Sequence, residues 1–378
     1  MLYADGITDN TLALQEMLDK RGIVTVGRPG TYLISKTLII HSDTRLVLSP
    51  GARILAAPMS RCALIENEHF AGGGRDERIE VIGGIWDGNC DAMGLDAVYE
   101  AKHREDEPYS PKLFKGKLMR FAHIDNISLE KLTVKDPVSY GIQIAHVRGF
   151  VVRDVFFDYN HHFGTTDGVH INGPARDGVI ENIFGTTNDD MVSLTTIDEK
   201  HAEISFGHIM NVDIRNVSAE NGYSGIRLQS NAGYDIRSVR ISGVYGDYRH
   251  NAVLISQHNS RPGTPTWFDD ITVEHVRAVK TSKPLPDDCF TYWEKGAIEK
   301  LAIVWIEKGI AAGNIILRDI TRHECTVTNA PLVKIDEGAV IAHLVAENIH
   351  QTCGEGVCAP CFKNEGSIAV SVIRNVQE

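Results

Sequence analysis

A short phrase of alternating apolar and polar residues recurs along most of the chain. Each copy passes through Asn, Asp or another small polar residue and ends on Val, Ile or Leu. Period-two alternation is typical of a strand that buries one face. The pattern therefore predicts one strand-containing unit repeated along the chain. The copies span residues 127–132, 151–155, 179–183, 212–217, 239–244, 271–276, 315–320, 344–349 and 372–376.

The spacing of the copies favours a solenoid. Their last apolar residues lie 23 to 44 residues apart, and no helical period fills the intervals. Most intervals are too short for a strand–helix–strand unit with a full crossover helix. A β-sandwich would instead show hairpin signals about every 8–12 residues. We therefore predict an all-β fold, a right-handed parallel β-helix whose coils stack at about 4.8 Å.

The first residues are expected to cover the open end of this solenoid. Residues 8–11 are of the types found at helix N-caps, and apolar residues on one side of 12–18 predict a short N-terminal capping helix, followed by strands. Insertions in a solenoid often form the walls of its binding face. We predict a single domain over residues 1–378, with the cap and first strands at 1–40 and inserted loops at 91–117 and 280–300.

The charge balance excludes several partners. The chain has 38 Lys and Arg against 50 Asp and Glu, a net charge of −12, which argues against nucleic acid or an anionic membrane as the main partner. An acidic polymer would also be repelled unless basic residues gather locally. No apolar run reaches a membrane span, and the first residues lack a signal-peptide layout. We therefore expect a cytoplasmic location, or secretion if a leader was removed. The sequence leaves homo-oligomerisation open.

Seven cysteines give no strong metal motif. The group of Cys353, Cys358 and Cys361 lacks a fourth ligand at a zinc-like interval, and structural zinc normally takes four. These thiols could instead be free or form a disulfide. We predict no metal and no cofactor.

Most Asn and Asp residues of the repeats are interpreted as turn residues. Asn182, Asn216, Asn348 and Asn375 occupy equivalent positions of their copies. Such residues tolerate turn conformations, and their amides can bond to one another from coil to coil. We expect a structural ladder at one corner.

Two consecutive turns are unusually rich in carboxylates. Asp167 lies in the first turn, and Asp189 and Asp190 lie in the second. Because 22 residues separate Asp167 from Asp189, we expect Asp167 nearly beneath Asp189 on the neighbouring coil. Like charges at close range raise the pKa of at least one of them, which gives a protonated acid beside an ionised base. We predict that these three residues are catalytic.

Nearby residues are candidates for substrate binding. In the strand 225–229, Arg227 and Gln229 alternate with apolar residues and should point outward, over the same face as the aspartates. We add His170 beside the first aspartate turn, and His208. His258 lies on a later coil that could wall the cleft. Tyr292 and Trp293, in the second insertion, could stack on a sugar ring.

The sequence resembles a known family. The segments 5–15, 30–33 and 46–52 are similar to the N-terminal cap of the pectate-lyase superfamily, and Gly83-Gly84-Ile85-Trp86-Asp87-Gly88 resembles the first-coil phrase of glycoside hydrolase family 28, the polygalacturonase-like enzymes. Three further segments are similar to that family's Asn-Thr-Asp-Gly, Asp-Asp and Arg-Ile-Lys motifs. They are 165–168, 188–190 and 225–229.

The resemblance implies a glycosidase that cleaves a pectin-type or related oligosaccharide with inversion. Asp189 would protonate the leaving oxygen, while Asp167 and Asp190 would activate water from the opposite face, with acid and base about 6.5–9.5 Å apart. The family's Gly-His-Gly has only Gly207-His208-Ile209 as its nearest counterpart, and its lysine is Gln229 here. A neutral or differently charged glycan is therefore as plausible a substrate as polygalacturonate.

Two other functions stay open on the same scaffold. In a polysaccharide lyase, the three aspartates would hold Ca²⁺ against a uronate and Arg227 would act as the base. In a non-catalytic carbohydrate-binding or phage-spike-like protein, the solenoid would share only the fold. Each alternative predicts a different response to chelation and to substitution of Asp189.

Overall fold

In a computed structural model, the chain winds as a right-handed parallel β-helix, with 25 strands in the residues that the structure describes. The structure describes residues 1–96, 116–197, 204–230, 233–257, 266–287, 289–291, 301–325, 328–354 and 359–377. The helix is α1 (Thr11–Leu18), and Cys90–Met93 forms one 3₁₀ turn. The strands are β1 (Asp5–Asp9), β2 (Gly22–Val26), β3 (Gly30–Ile34), β4 (Leu38–Ile40), β5 (Thr44–Leu48), β6 (Ala52–Ala56), β7 (Ile65–Asn67), β8 (Asp76–Ile82), β9 (Ile85–Asp87), β10 (Met119–Glu130), β11 (Thr133–Lys135), β12 (Ile142–Asp158), β13 (Val169–Thr186), β14 (Asp190–Thr195), β15 (Ile209–Gly222), β16 (Ser224–Gln229), β17 (Asp235–Tyr248), β18 (Val253–Ser256), β19 (Trp267–Lys280), β20 (Val304–Ile306), β21 (Ala311–Glu324), β22 (Val333–Ile335), β23 (Val340–Cys353), β24 (Phe362–Asn364) and β25 (Ser367–Val376).

One stack of short strands forms what we call the front sheet. It contains β14, β16, β18, β20, β22 and β24, and the first residues of β10, β12 and β13 pair into the same stack. After the front sheet the chain turns and continues into the longer strands. We call this turn the front corner; in the coil of β13 it lies at Gly173 and Pro174. Those strands bend again at the corner that carries the asparagines.

The predicted repeat is confirmed in register. The last apolar residues of successive copies pair one above the other from Val155 to Val376. Because every second side chain points inward, these columns form one apolar core that runs from Leu14 to Cys361. The single domain over residues 1–378 stays a prediction.

The asparagine ladder is also confirmed. The amide of Asn216 donates to Oδ1 of Asn182 at 3.1 Å, and that of Asn375 donates to Oδ1 of Asn348 at 2.8 Å. All four residues have φ between 51° and 57°, a left-handed conformation that asparagine tolerates better than most residues. The corner is therefore held by amide hydrogen bonds between coils.

The N-terminal cap differs from its prediction in two details. A strand, β1, precedes the helix and pairs with β3. Asn10 stands at the N-cap position without a side-chain cap bond; Oδ1 of Asp9 instead accepts the backbone N–H of Thr11 at 2.9 Å. Leu14 and Leu18 are buried in the core as expected, whereas Leu12 is 79% exposed.

Both predicted insertions lie partly outside the described residues. Of 91–117, the segment 97–115 falls outside, and of 280–300, residue 288 and 292–300 fall outside, which includes Tyr292 and Trp293. Among the cysteines, Cys353 is disulfide-bonded and Cys361 is a buried free thiol, while Cys358 lies outside the described residues. Within the described ranges, no helix is long and apolar enough to cross a membrane.

Candidate functional site

The three aspartates meet at the start of the front sheet. Val169 of β13 pairs with Val192 of β14, so Asp167 lies opposite Asp190 and not beneath Asp189 as expected. The backbone N–H of Asp190 donates to Oδ1 of Asp167 at 3.2 Å. The predicted register was therefore wrong by one residue, because this coil contains 23 residues and not 22.

The expected crowding of carboxylates is present. One oxygen from each of Asp167, Asp189 and Asp190 lies within 4.8 Å of the other two. Asp167 and Asp190 are buried, and Asp189 is partly exposed. Three ionised carboxylates at this range repel one another, so a shared proton, a cation or a neighbouring arginine is needed to stabilise them. The limit of 4.8 Å joins single oxygen atoms, whereas the separation of about 6.5–9.5 Å expected for an inverting pair is the distance between the two carboxyl groups.

A chain of buried polar groups orients Asp167. The imidazole Nδ1 of His170 lies 2.6 Å from Oδ2 of Asp167, and the amide of Asn172 donates to Nε2 of the same ring at 3.1 Å. Gln143, on the coil before, donates to Oδ1 of Asn172 at 2.7 Å. With Nε2 accepting, Nδ1 carries the proton and donates it to the carboxylate. His170 therefore contacts a catalytic candidate directly.

Two residues that were not predicted as site residues extend this cluster. The ring of Tyr140 stacks on His170 with centroids 4.0 Å apart, and the ammonium group of Lys117 lies 4.9 Å from the Tyr140 centroid. Both side chains are buried. Tyr140 lies 27 residues before Asp167, about one coil, so subtracting a coil length from the aspartate would have found it.

Arg227 reaches the same cluster from the next coil. Its guanidinium Nη1 lies 3.7 Å from Oδ2 of Asp190, and its Nε donates to Oγ of Ser256 at 3.2 Å. Arg227 and Gln229 both point away from the core, as predicted. Gln229 is nevertheless only 1% exposed, so the chain covers this end of the front sheet.

Asn188 fixes the turn that carries Asp189. Its amide nitrogen donates to the carbonyls of Phe163 and Phe290, both at 2.9 Å, and its Oδ1 accepts from Nη2 of Arg249 at 3.0 Å. Burial lowers the pKa of Arg249 to about 10, and the Asp189 carboxylate opposes this shift. Arg249 is still charged at neutral pH and contributes positive potential beside Asp189.

Two buried histidines near the site are held neutral. Burial lowers the pKa of His250 to about 3 and that of His161 to about 4. His250 stacks on Tyr223 with centroids 5.0 Å apart, and Lys280 donates to the carbonyl of His250. Their neutral rings serve the packing of the loops that border the aspartates.

His208 lies elsewhere. Strand β14 pairs directly with β16, so no coil stands between the Asp-Asp turn and the arginine strand. His208 sits at the front corner, where its Nδ1 accepts the backbone N–H of Asp235 at 3.0 Å. The structure thus brings Asp167, Asp189, Asp190, His170 and Arg227 together but leaves His208 apart. His258 lies outside the described residues.

No protein-family model and no curated protein matches the sequence, but solved structures match its fold. A Yersinia enterocolitica family 28 exopolygalacturonase aligns with a TM-score of 0.57 at 17% identity, over 98% of this chain and 77% of its own. The A-module of the Azotobacter vinelandii mannuronan C-5 epimerase AlgE6 gives 0.56 at 13%, over 97% of each chain.

A Streptococcus pneumoniae surface adhesin, PfbA, gives 0.53 at 16%, over 100% of this chain and 98% of its own. The similar structures thus include a hydrolase, an epimerase and an adhesin. At these identities the likeness establishes the right-handed parallel β-helix and leaves the choice of activity to the site.

Proposed function

We propose that this protein is a glycoside hydrolase that cleaves a pectin-type or related oligosaccharide at the aspartate cluster. The observation that carries the proposal is the approach of three carboxylate oxygens within 4.8 Å of one another at the start of the front sheet. A fold gains no stability from such crowding, whereas acid–base catalysis needs neighbouring carboxyl groups in different protonation states.

The roles follow from exposure and hydrogen bonds. Asp189 is the most accessible of the three and protonates the leaving oxygen. Two oxygens up to 4.8 Å apart can both bond one water at about 2.8 Å, so Asp167 and Asp190 hold and activate the attacking water. The proton on His170 Nδ1 is donated to Asp167 and orients this carboxylate as the base. Arg227 balances the charge of Asp190.

A polysaccharide lyase is the second candidate, and the same distance supports it. Calcium binds oxygen ligands at about 2.3–2.6 Å, so ligands on opposite sides of the ion lie about 4.8 Å apart. The guanidinium of Arg227, 3.7 Å from Asp190, counts against it because a cation there would be repelled. The hydrolase therefore has the stronger support. A non-catalytic glycan-binding role is the third candidate, and one similar structure is an adhesin.

A substrate screen tests the proposal. Defined oligogalacturonides, rhamnogalacturonides and neutral oligosaccharides are incubated with the wild type, with Asp189→Asn and with Asp319→Asn. Asp319→Asn makes the same chemical change at the asparagine corner, where Oδ1 of Asp319 accepts from Asn348. We expect new reducing ends with the wild type and Asp319→Asn only, with EDTA present and without unsaturated uronide absorbance.

Two results would contradict the hydrolase. Activity that EDTA abolishes, with unsaturated products, identifies the lyase. Glycan binding that Asp189→Asn leaves unchanged, with no turnover of any sugar by the wild type, identifies a binding protein.

A further inference from the structure

A second cleft lies at the front corner, away from the aspartates. It has a volume of about 480 Å³, and its walls come from the coils of β8, β10, β12, β13 and β15. After Asn172 the chain turns at Gly173 and Pro174, and Pro174 lines this cleft. The four front-sheet residues 169–172 lie between the aspartate turn and this cleft, and they span about 13 Å along the strand. The lining residues are Arg75, Asp125, His146, Val147, Arg148, Pro174, Ala175, Arg176, His208 and Met210.

The cleft is positively charged in a chain of net charge −12. Arg75, Arg148 and Arg176 line it, against one lining carboxylate, Asp125. Asp125 accepts from Arg75 at 2.6 Å and from Arg148 at 2.8 Å, and these bonds, chiefly that of Arg75, lower its pKa. The three arginines and one aspartate of the lining carry two net positive charges.

Carboxylates also border the cleft without lining it. Asp177 lies 3.8 Å from Arg176, and Asp235 lies 3.7 Å from His208. Burial and the charge of Arg75 lower the pKa of His146.

Two of the arginines are stacked. Arg148 and Arg176 are register partners on adjacent strands, so their backbones lie about 4.8 Å apart and their side chains leave the same face. Like charges directly opposite each other across two strands are destabilising. The side chains of Arg148 and Arg176 are 54% and 51% exposed, so both guanidinium groups can reach a ligand. A bound anion would add a counter-charge beside the carboxylates that already pair with them, Asp125 with Arg148 and Asp177 with Arg176.

We propose that this cleft is a binding site for an anionic saccharide that carries carboxylate or sulfate groups on neighbouring sugar units. Each guanidinium can bind one carboxylate or sulfate group through two parallel hydrogen bonds. The step between rungs is comparable to the length of one sugar unit, so a chain along the solenoid axis presents successive groups to Arg148 and Arg176. Met210, the register partner of Arg176, continues the row as an apolar surface. The choice of a saccharide rests on the proposed function.

Binding is measured by calorimetry in an Asp189→Asn background, so that a bound chain is not cleaved. The probes are an oligogalacturonide, a sulfated galacto-oligosaccharide and a neutral galacto-oligosaccharide of equal length. The test variant is Arg148→Gln/Arg176→Gln. The matched control is Arg237→Gln, which alters the register partner of Met210 in the same outward row but does not line the cleft.

We expect at least one anionic probe to bind, with an affinity that falls as salt rises, and the double variant to lose about tenfold or more. The control should stay within about twofold. The proposal is overturned if neither anionic probe binds, if the double variant binds as well as its parent, or if the neutral probe binds equally. Turnover is measured separately with the wild type. A wild type without turnover would contradict the proposed hydrolase, and the binding measurements would still test the cleft.

Discussion

The same coils carry small polar residues at two places with opposite energetics. At the asparagine corner, Asn182 and Asn216 lie one above the other and share a hydrogen bond. At the start of the front sheet, Asp167 lies opposite Asp190 and the stacked groups are like charges. A stacked neutral amide contributes to stability on each added coil, whereas a stacked carboxylate costs stability. The repeat itself thus explains the asparagines, whereas the aspartates need a functional explanation.

Substitution of the partly exposed Asp189 should give the largest difference between the aspartate cluster and the asparagine corner. Asp189→Asn removes the proton donor, and loss of a general acid typically costs about 10²–10⁴-fold in turnover. Because one negative charge leaves the cluster, the free energy of unfolding should stay equal or rise. Steady-state kinetics and urea unfolding measure the two effects. A variant that keeps activity and loses stability would show that Asp189 is a turn residue like the asparagines.

The turn beside the aspartates should be sensitive to Asn188. Asn188→Ala removes bonds to two loop carbonyls and leaves the buried Arg249 without that acceptor. We expect a loss of about 2–3 kcal/mol in the free energy of unfolding, since each buried group left unsatisfied costs about 1–3 kcal/mol. Turnover per folded molecule should also fall, because Asp189 is no longer held. An unchanged free energy of unfolding would contradict the role of Asn188 in fixing this turn.

Acid should destabilise the loops around the site. The pKa of His250 is lowered to about 3 in the folded protein, below its ordinary value near 6.5. The neutral His250 ring therefore contributes fully to the free energy of unfolding above pH 6.5. This contribution is lost as pH falls towards 3, and the free energy of unfolding then decreases by up to about 1.4 kcal/mol per pH unit. Urea unfolding of the wild type and His250→Gln between pH 7 and 4 should show the shallower slope in the variant. Parallel curves would contradict burial of a neutral ring.

The asparagine corner should respond with small losses that depend on position. Asn216→Asp keeps the shape and tolerates the left-handed backbone but removes the amide donor to Asn182. We expect about 1 kcal/mol less unfolding free energy and unchanged turnover. Asn375→Asp, on the last coil, removes one bond to Asn348 in a more exposed place and should cost less. Equal losses would show that the ladder has no cumulative effect.

The repeat could be predicted from the sequence because alternation specifies which side chains point inward. The columns from Val155 to Val376 follow from that alone. The aspartate register could not, since a difference of one residue in a turn does not change the pattern. Asp167 therefore pairs with Asp190 and not with Asp189.

The surroundings of the aspartates were harder to predict. Lys117, Tyr140 and His170 come from three coils and share no local motif, so only stacking brings them together. His208 was placed with the aspartates because of a short resemblance. The direct pairing of β14 with β16 instead leaves it at the front corner.

The anomeric configuration of the first product distinguishes hydrolysis at the aspartate cluster from the other candidate functions. Proton NMR during turnover of the best substrate from the screen records that configuration before mutarotation. Direct attack by the water that Asp167 and Asp190 hold should give a saturated product whose anomeric centre is inverted relative to the substrate, formed by the wild type and not by Asp189→Asn. A retained configuration or an unsaturated uronide would contradict it.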